Sequence, residues 1–189
     1  MKKSFFHAIG VILACAILSC QLLACSERGE LLDYQNEPFS ARLRGKMNSI
    51  EFSAVLTLGA PADGARDFTL SLLSPESLAG LEFFRNADGG ISARLGSLPT
   101  EFDMGEDTRS VGALVNAFTV DEVPKSISAE NGKDVELSQY EKLTKLVFSS
   151  VVIYVDPESA LPVKIQTVAD GNGLCEFEIF IEDFSFTAD

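Results

Sequence analysis

Alternation of apolar and polar residues constrains this chain more than any other feature of its sequence. The side chains alternate from Phe39 to Gly45, and after a turn at Lys46–Asn48 they alternate again from Ile50 to Leu58. Successive side chains of a β-strand point to opposite faces, so a period of two predicts a strand with one buried and one exposed face. The two runs therefore predict an antiparallel hairpin.

The same pattern continues beyond the first hairpin. Three further strands are predicted at Phe68–Leu72, Leu81–Phe84 and Ile91–Leu95, separated by turn residues at Ser74–Ser77 and Asn86–Gly90. The second of these turns is rich in residues that tolerate a positive φ, which is typical of a hairpin. The first half of the chain is therefore predicted to form a meander of about five strands.

The period changes near the middle of the chain. Within Glu106–Phe118 apolar residues recur at helical spacing, namely Val111, Leu114, Val115 and Phe118. Asp107 or Thr108 can cap this helix at its N-terminus. Gly112 costs about 1 kcal/mol relative to alanine in a helix, so the helix needs tertiary packing to form. We expect it to lie across one face of the sheet.

The C-terminal part again predicts strands. Leu146–Val155 is a mainly apolar, β-branched run, Val163–Val168 follows with Val163, Ile165 and Thr167 on one face, and Cys175–Ile181 alternates. Residues 121–146 show no clear period. Within them, Val135–Lys145 fits either a strand or a short helix, and the sequence leaves this choice open.

The link between the last predicted strands carries a family resemblance. Asp156-Pro157-Glu158-Ser159-Ala160-Leu161-Pro162-Val163-Lys164 follows a hydrophobic strand and precedes a glycine turn and a final strand that ends near Phe184. This arrangement, after a meander and a helix, resembles the LolA/LolB-like superfamily of periplasmic lipoprotein carriers and receptors and related lipid-binding and sensor lipoproteins. The resemblance implies a mainly β (α+β) fold, a curved antiparallel sheet or half-barrel covered by one or two helices. It also implies an apolar cavity, which receives acyl chains in the carriers.

The apolar faces of the predicted strands and helix are candidates to line such a cavity. Ligand cavities are mostly apolar with few polar groups, and this chain has 14 phenylalanines and no tryptophan. The candidate lining residues are Phe52, Leu56, Phe68, Leu70, Phe83, Val111, Leu114, Phe118, Val163, Ile165, Phe177 and Ile179. The alternative is that these residues only fill a core between sheet and helix.

The N-terminus has the layout of a signal peptide. Two lysines precede an uncharged run that is short for a membrane-spanning helix. The run ends in Leu22, Leu23 and Ala24 followed by Cys25, which resembles a lipobox, the cleavage and lipidation signal of bacterial lipoproteins. Cleavage before Cys25 and acylation of its thiol would anchor the protein in a membrane. The alternatives are cleavage at Cys20 and an uncleaved N-terminal helix.

This interpretation divides the chain into three parts. They are a signal peptide (1–24), the lipidated cysteine with a tether (25–38), and a single half-barrel domain (39–189). Apolar residues between positions 31 and 34 can dock on the domain as a strand or a helical turn. We expect the mature protein on the extracytoplasmic side of the cell membrane. Ser26 permits sorting to an outer membrane where the cell has two membranes.

The charge of the chain excludes some partners. Residues 1–24 contribute two of the 15 basic residues and none of the 28 acidic ones, so the predicted mature chain has 13 basic and 28 acidic residues and a formal charge of −15. Such a charge disfavours binding to nucleic acid and to an anionic membrane surface. We expect a monomer that contacts the membrane through the lipid on Cys25.

The predicted mature chain lacks the residue types on which many catalytic and metal sites depend. The one histidine, His7, lies in the signal peptide, and acylation of Cys25 leaves Cys175 as the free cysteine. Histidine-based acid–base or nucleophilic catalysis and His-ligated zinc are thereby excluded. Alternating glutamates at 176, 178 and 182 are interpreted as the solvent face of a strand rather than a glycosidase pair. We expect no cofactor, no metal and no enzymatic activity.

The sequence therefore predicts a non-enzymatic, lipid-anchored protein that binds an acyl chain or another apolar ligand in a half-barrel cavity. The alternative is an envelope sensor or scaffold that acts through protein–protein contacts and has no ligand cavity. A large apolar cavity would favour the first function, and a well-filled core would favour the second.

Overall fold

The computed structural model describes residues 31–61, 66–96, 98, 102–103, 108–132, 137–168 and 176–187. Within them, an eleven-stranded antiparallel sheet curves and carries an α-helix on its inner face. The strands are β1 (Phe39–Met47), β2 (Ile50–Leu58), β3 (Phe68–Ser74), β4 (Leu81–Arg85), β5 (Ile91–Leu95), β6 (Phe102–Asp103), β7 (Ser126–Glu130), β8 (Leu143–Val147), β9 (Val151–Asp156), β10 (Leu161–Thr167) and β11 (Phe177–Phe186). The helix is α1 (Arg109–Asn116), and 3-10 helices lie at Asp33–Asn36 and Glu76–Leu78. The predicted fold class, a curved, mainly β sheet with a covering helix, is confirmed.

The sheet consists of two meanders that meet in its middle. Strands β1 to β6 follow one another toward one edge, and strands β11 to β7 follow one another toward the other. The meanders are joined by antiparallel pairing of β1 with β11, from Phe39 opposite Phe186 to Met47 opposite Phe177. Each meander is built from neighbours in sequence, and this one long-range pairing makes them a single sheet.

The first hairpin turns slightly later than predicted. Strand β1 extends to Met47, and the turn consists of Asn48 and Ser49, whose φ angles are +48° and +70°. Positive φ at both central residues is the backbone of a type I′ turn, whose twist matches the twist of the strands it joins. The alternation itself holds, because Phe39, Ala41 and Leu43 are all buried.

One strand prediction for the C-terminal half is wrong. The apolar run Leu146–Val155 predicts a single strand, but it contains the end of β8 and most of β9, which pair as a hairpin. The chain turns at residues 148–150, where the Phe148 amide donates to the carbonyl of Val151 at 2.9 Å. Ser149 and Ser150 are the polar residues within this run, and they lie in the turn. An apolar run therefore shows burial but not the point where the chain reverses.

The region that the sequence left open contains two strands. Residues 126–130 form β7, and β8 begins at Leu143. Between them the Tyr140 amide donates to the carbonyl of Leu137 at 3.0 Å, which forms a turn. The C-terminal end of the segment Val135–Lys145 is thus a strand.

Strand β10 differs from the prediction in which residues share a face. The sequence places Val163 and Ile165 together, but the register of β10 against β9 shifts beside Val163. Val163 packs with Leu137 and Leu143 in a small cluster, whereas Ile165 lies in the main core. A β-bulge changes which residues share a face, and a period of two cannot reveal it.

The main core lies between the inner face of the sheet and α1. It is extended by the end of the segment predicted as a tether, because Leu31 and Leu32 pack against it and Tyr34 is 2% exposed. Residues 31–36 therefore dock on the sheet as a helical turn.

Candidate functional site

Most of the predicted cavity-lining residues lie in one apolar cluster between the sheet and α1. Ten of them are buried members of this cluster: Phe52, Leu56, Phe68, Leu70, Val111, Leu114, Phe118, Ile165, Phe177 and Ile179. Phe83 is half-buried and packs against the same cluster, whereas Val163 belongs to the second cluster. The candidate site is therefore the inner face of the sheet, and its geometry decides between a cavity and a core.

Aromatic rings fill the centre of this inner face. Phe39 and Phe118 are 0% exposed, and their ring centroids lie 5.9 Å apart. Phe184 stacks on Phe39 at 4.6 Å, and Tyr34 meets both of these rings edge-on at 6.1 and 5.8 Å. These are the favourable arrangements of aromatic pairs. Side chains of the protein itself occupy the space between the sheet and the 0% exposed Leu114 of α1.

Three of these aromatic residues were not among the predicted site residues. Phe39 begins the first alternating run, so the sequence contained a signal for its burial. Tyr34 lies in the segment predicted as a tether, and Phe184 lies near the end of the last strand, where periodicity says little about packing. Burial raises the pKa of Tyr34 to about 12, although the hydrogen bond that the Gln35 side chain donates to its hydroxyl at 3.2 Å acts in the opposite direction.

A buried arginine closes one end of this core. Arg66 is 9% exposed and donates to the carbonyls of Gly59 at 2.5 Å and Gln35 at 2.6 Å, and to the carbonyl of Glu37. Its guanidinium carbon lies 5.7 Å from the centroid of the Phe39 ring, and burial lowers the pKa of the guanidinium. One cation thus ties the 3-10 helix region to the loop after β2. Sequence reasoning did not identify this residue.

A pocket of about 470 Å³ lies beside Arg66. Its wall includes Arg85, which donates to the carbonyl of Arg66 at 2.8 Å, and Asn116 at the end of α1. The rings of Phe39 and Phe118 are nevertheless 0% exposed, so solvent does not reach them from this pocket. The pocket is a polar recess at the end of the core and not an entrance to it.

Three other pockets that described residues line have volumes of about 520, 400 and 380 Å³. The largest lies among charged side chains of the outer face, including Arg44, Lys46 and Lys164. Phe52 contributes to the largest of the three and Phe177 to the smallest, and none of the four pockets brings two predicted lining residues together. The described pockets are therefore surface features.

The outer face of the sheet carries its charges in pairs. Glu182 accepts from Arg44 at 2.8 Å and Glu178 lies 2.6 Å from Lys164. The other pairs are Arg42–Glu182 at 3.6 Å, Lys46–Glu51 at 3.3 Å, Arg94–Glu82 at 2.7 Å and Lys145–Glu130 at 3.5 Å. Lys164 is buried between the rings of Phe180 and Tyr154. The two glutamates of β11 thus form ion pairs with Arg and Lys side chains.

Over the described ranges, no three His, Cys, Asp or Glu residues are grouped to bind a metal ion.

The predicted lipidation signal lies outside the described residues. This applies to Leu22, Leu23, Ala24 and Cys25, and also to the free cysteine, Cys175. In the part of the chain that is described, no helix has the length and apolar character needed to cross a membrane. The anchor remains a prediction from the sequence.

Comparison with known proteins finds solved structures with similar backbones, but no similar sequences. The sequence matches no family model, and no curated protein matches it. Solved structures do match: an uncharacterized conserved protein from Thermus thermophilus (16% identity, TM-score 0.48, 88% of each chain), MucB (14%, 0.48, 87% of this chain and 59% of MucB), and a putative outer membrane lipoprotein-sorting protein domain from Vibrio parahaemolyticus (10%, 0.45, 83% and 89%). This chain thus spans about three fifths of MucB. Similarities of this size carry no inference about ligand or partner.

Proposed function

We propose that this protein is a lipid-anchored extracytoplasmic module that acts without enzymatic chemistry, by binding another protein through its surface. The observation that carries this proposal is the filled centre of the inner face. A site for an acyl chain needs roughly 300–1,000 Å³ of mainly apolar space. Here Phe39, Leu114 and Phe118 are 0% exposed where such space would lie. The filled core favours the sensor or scaffold function over the carrier function.

The proposed anchor restricts where a partner can be. Residues 26–30 separate Cys25 from the docked segment that begins at Leu31. Even a fully extended chain of this length reaches only about 20 Å. A domain held by lipid on Cys25 would therefore stay close to the membrane surface, and its partner would be a protein of that membrane or of the adjacent compartment.

Metabolic labelling with a palmitate analogue tests the anchor. The full-length chain should incorporate the label and fractionate with membranes, and Cys25→Ala should abolish the labelling. Cys20→Ala is the matched control and should leave the labelling intact. Labelling that is lost in Cys20→Ala but retained in Cys25→Ala would instead place the processing site at Cys20.

Lipid analysis of the purified full-length protein tests the choice between a protein-binding module and a carrier. Apart from the covalent anchor, we expect the protein not to carry a stoichiometric amount (one mole per mole) of bound lipid. We also expect no saturable binding of an apolar fluorophore. The carrier function keeps one observation in its favour, because the ten predicted lining residues form one apolar cluster between the sheet and a short helix that contains Gly112. Stoichiometric, non-covalent lipid in the purified protein would establish the carrier function and overturn our proposal.

A further inference from the structure

The two edges of the sheet differ in a way that bears on binding. Strand β6 has two residues and β7 has five, and in the described ranges no strand lies beyond either one. An edge strand directs unpaired amide and carbonyl groups outward and can pair with another chain, and proteins commonly prevent this with very short edge strands, lysine or proline. Strand β6 is very short. Strand β7 reads Ser-Ile-Ser-Ala-Glu and has neither lysine nor proline within its five residues, although Pro124 and Lys125 directly precede it.

Strand β7 is open to solvent along most of its length. Its first four residues are exposed, with Ile127 at 46%, and Val123 just before the strand is 70% exposed. Ile127 pairs with Leu146 of β8, which is 0% exposed in the main core. The apolar layer of the inner face thus continues to the edge and ends in an uncovered isoleucine. An added strand could continue this layer with an apolar side chain of its own.

The strand is also held in position before any partner arrives. It pairs with β8 over its whole length, from Ser126 opposite Val147 to Glu130 opposite Leu143. The segment before β7 is attached too, because the Ser149 amide donates to the Glu122 carboxylate at 3.2 Å. Hydrogen bonding from the side chain of Ser149, and then from its amide, lowers the pKa of Glu122. A preorganised edge loses little conformational freedom when it binds a partner.

Charge indicates which partner fits this edge. Residues 121–130 carry three carboxylates and one lysine, and the whole chain has a formal charge of −13. Two copies that pair through β7 would bring two acidic domains together, which is unfavourable. A basic segment would instead be attracted, and the attraction would weaken with salt.

We propose that β7 is a docking edge for an extended, basic segment of another protein. The segment adds a twelfth strand to the sheet, uses main-chain hydrogen bonds for affinity, and places an apolar side chain beside Ile127. This inference rests on the proposed function, because it names the surface through which a protein-binding module would act. It predicts that binding depends on β7 and on no pocket of the inner face.

Peptide capture on the full-length chain in phosphatidylcholine nanodiscs tests the edge. The probe is a pool of peptides of about ten residues in which Ile, Val, Leu or Phe alternates with Lys, Arg or Thr. The control pool carries Glu in place of Lys and Arg. We expect the basic pool to bind, and amide hydrogen exchange to slow at alternate residues of 126–130 by about tenfold or more. No binding, or protection away from β7, overturns the proposal.

Matched variants locate the contact. Ile127→Lys adds a lysine to the edge and should weaken peptide binding about tenfold or more, because it removes the apolar contact and repels a basic chain. Ile50→Lys is the control at another exposed isoleucine, 57% exposed at the start of β2, and should leave binding unchanged. Both variants should have the same midpoint of denaturant unfolding as the wild type, which would show that they fold normally. Binding that survives in Ile127→Lys overturns the docking edge while leaving the protein-binding function intact.

The remaining alternative is that β7 pairs with a second copy of this chain, and the oligomeric state tests it. Sedimentation should show a monomer for both the wild type and Ile127→Lys. A wild-type dimer that Ile127→Lys dissociates would mean that β7 pairs with a second copy, which overturns a foreign basic segment as the occupant. Stoichiometric lipid in the purified protein would refute the proposed function itself, so the two failures are distinguishable.

Discussion

The two faces of the same sheet are built by different chemistry, and single strands show the contrast. In β1, Phe39, Ala41 and Leu43 are buried in the main core, while Arg42 and Arg44 on the other face are half exposed and share Glu182. Apolar burial contributes roughly 25 cal/mol per Å² removed from water. Exposed ion pairs contribute about 0–1 kcal/mol and weaken with salt. The comparison teaches that stability is concentrated on the inner face, so a space reserved there for a ligand would be costly.

The largest effect is expected in the centre of the inner face. Phe118→Ala should lower the free energy of unfolding by about 3–5 kcal/mol, because it removes a fully buried ring and leaves a void against Phe39. Chemical denaturation of the full-length protein measures this change. Phe186→Ala, at a ring that is 54% exposed, is the control and should cost under about 1 kcal/mol. If Phe118→Ala cost no more than the control, the inner face would not be tightly filled and the carrier function would gain support.

Arg66, at the end of the core, is expected to contribute more to the free energy of unfolding than any charged residue of the outer face. Arg66→Met should cost about 3 kcal/mol, because three backbone carbonyls lose their charged donor. Arg42→Met is the matched control, since Arg42 is exposed and pairs only loosely with Glu182, and should change stability by less than about 0.5 kcal/mol. The same denaturation experiment compares the two. Equal effects would remove the distinction between buried and exposed arginines.

Alkaline pH tests the burial of Tyr34 on the inner face, because ionisation of its hydroxyl should lower the stability of the fold. Its folded pKa, about 12, lies above the value of 10.0 for an exposed tyrosine because burial disfavours the phenolate. The stability from the neutral phenol is therefore fully present below about pH 10 and is lost as the pH rises toward 12, by roughly 2–3 kcal/mol at the upper end. Tyr34→Phe should lack this component of the pH dependence. Unfolding curves of both proteins between pH 9 and 12 measure it, and parallel losses would contradict the assignment to Tyr34.

The smallest effects are expected within the outer face. Glu51→Gln should change stability by less than about 0.5 kcal/mol, because both Glu51 and Lys46 are exposed. Glu178→Gln should cost more, about 1 kcal/mol, because its partner Lys164 is buried and cannot regain full hydration. Raising the salt concentration should reduce the first effect more than the second. An equal response to salt would show that burial of Lys164 does not strengthen its pair.

The success of the sequence predictions depended on the range of the interactions involved. Alternation over residues 39–58 predicted the first hairpin and its buried side, because side-chain direction in a strand depends only on local geometry. The run Leu146–Val155 was wrong as a single strand, because burial of both β8 and β9 hides the turn between them. Val163 packs in the second cluster and not with Ile165, because the pairing with β9 shifts its register beside Val163.

The candidate site shows the same division. Periodicity identified ten residues of the main core, but it could not say whether they line a cavity or fill it. That outcome depends on Tyr34, Phe39 and Phe184, which come from opposite ends of the chain and meet in the core. Arg66 was missed for a similar reason, because its carbonyl partners become neighbours when the 3-10 helix docks.

By itself, the sequence determined that the chain forms an antiparallel sheet, which side chains of β1 and β2 turn inward, and that its N-terminus resembles a lipoprotein signal. Each of these depends on residues within a few positions of one another. Only the tertiary structure decided that the centre of the inner face is filled, that Arg66 closes its end and that, among the described strands, β7 is an open edge. These depend on which strands become neighbours, and the pairing of β1 with β11, distant in sequence, sets that order.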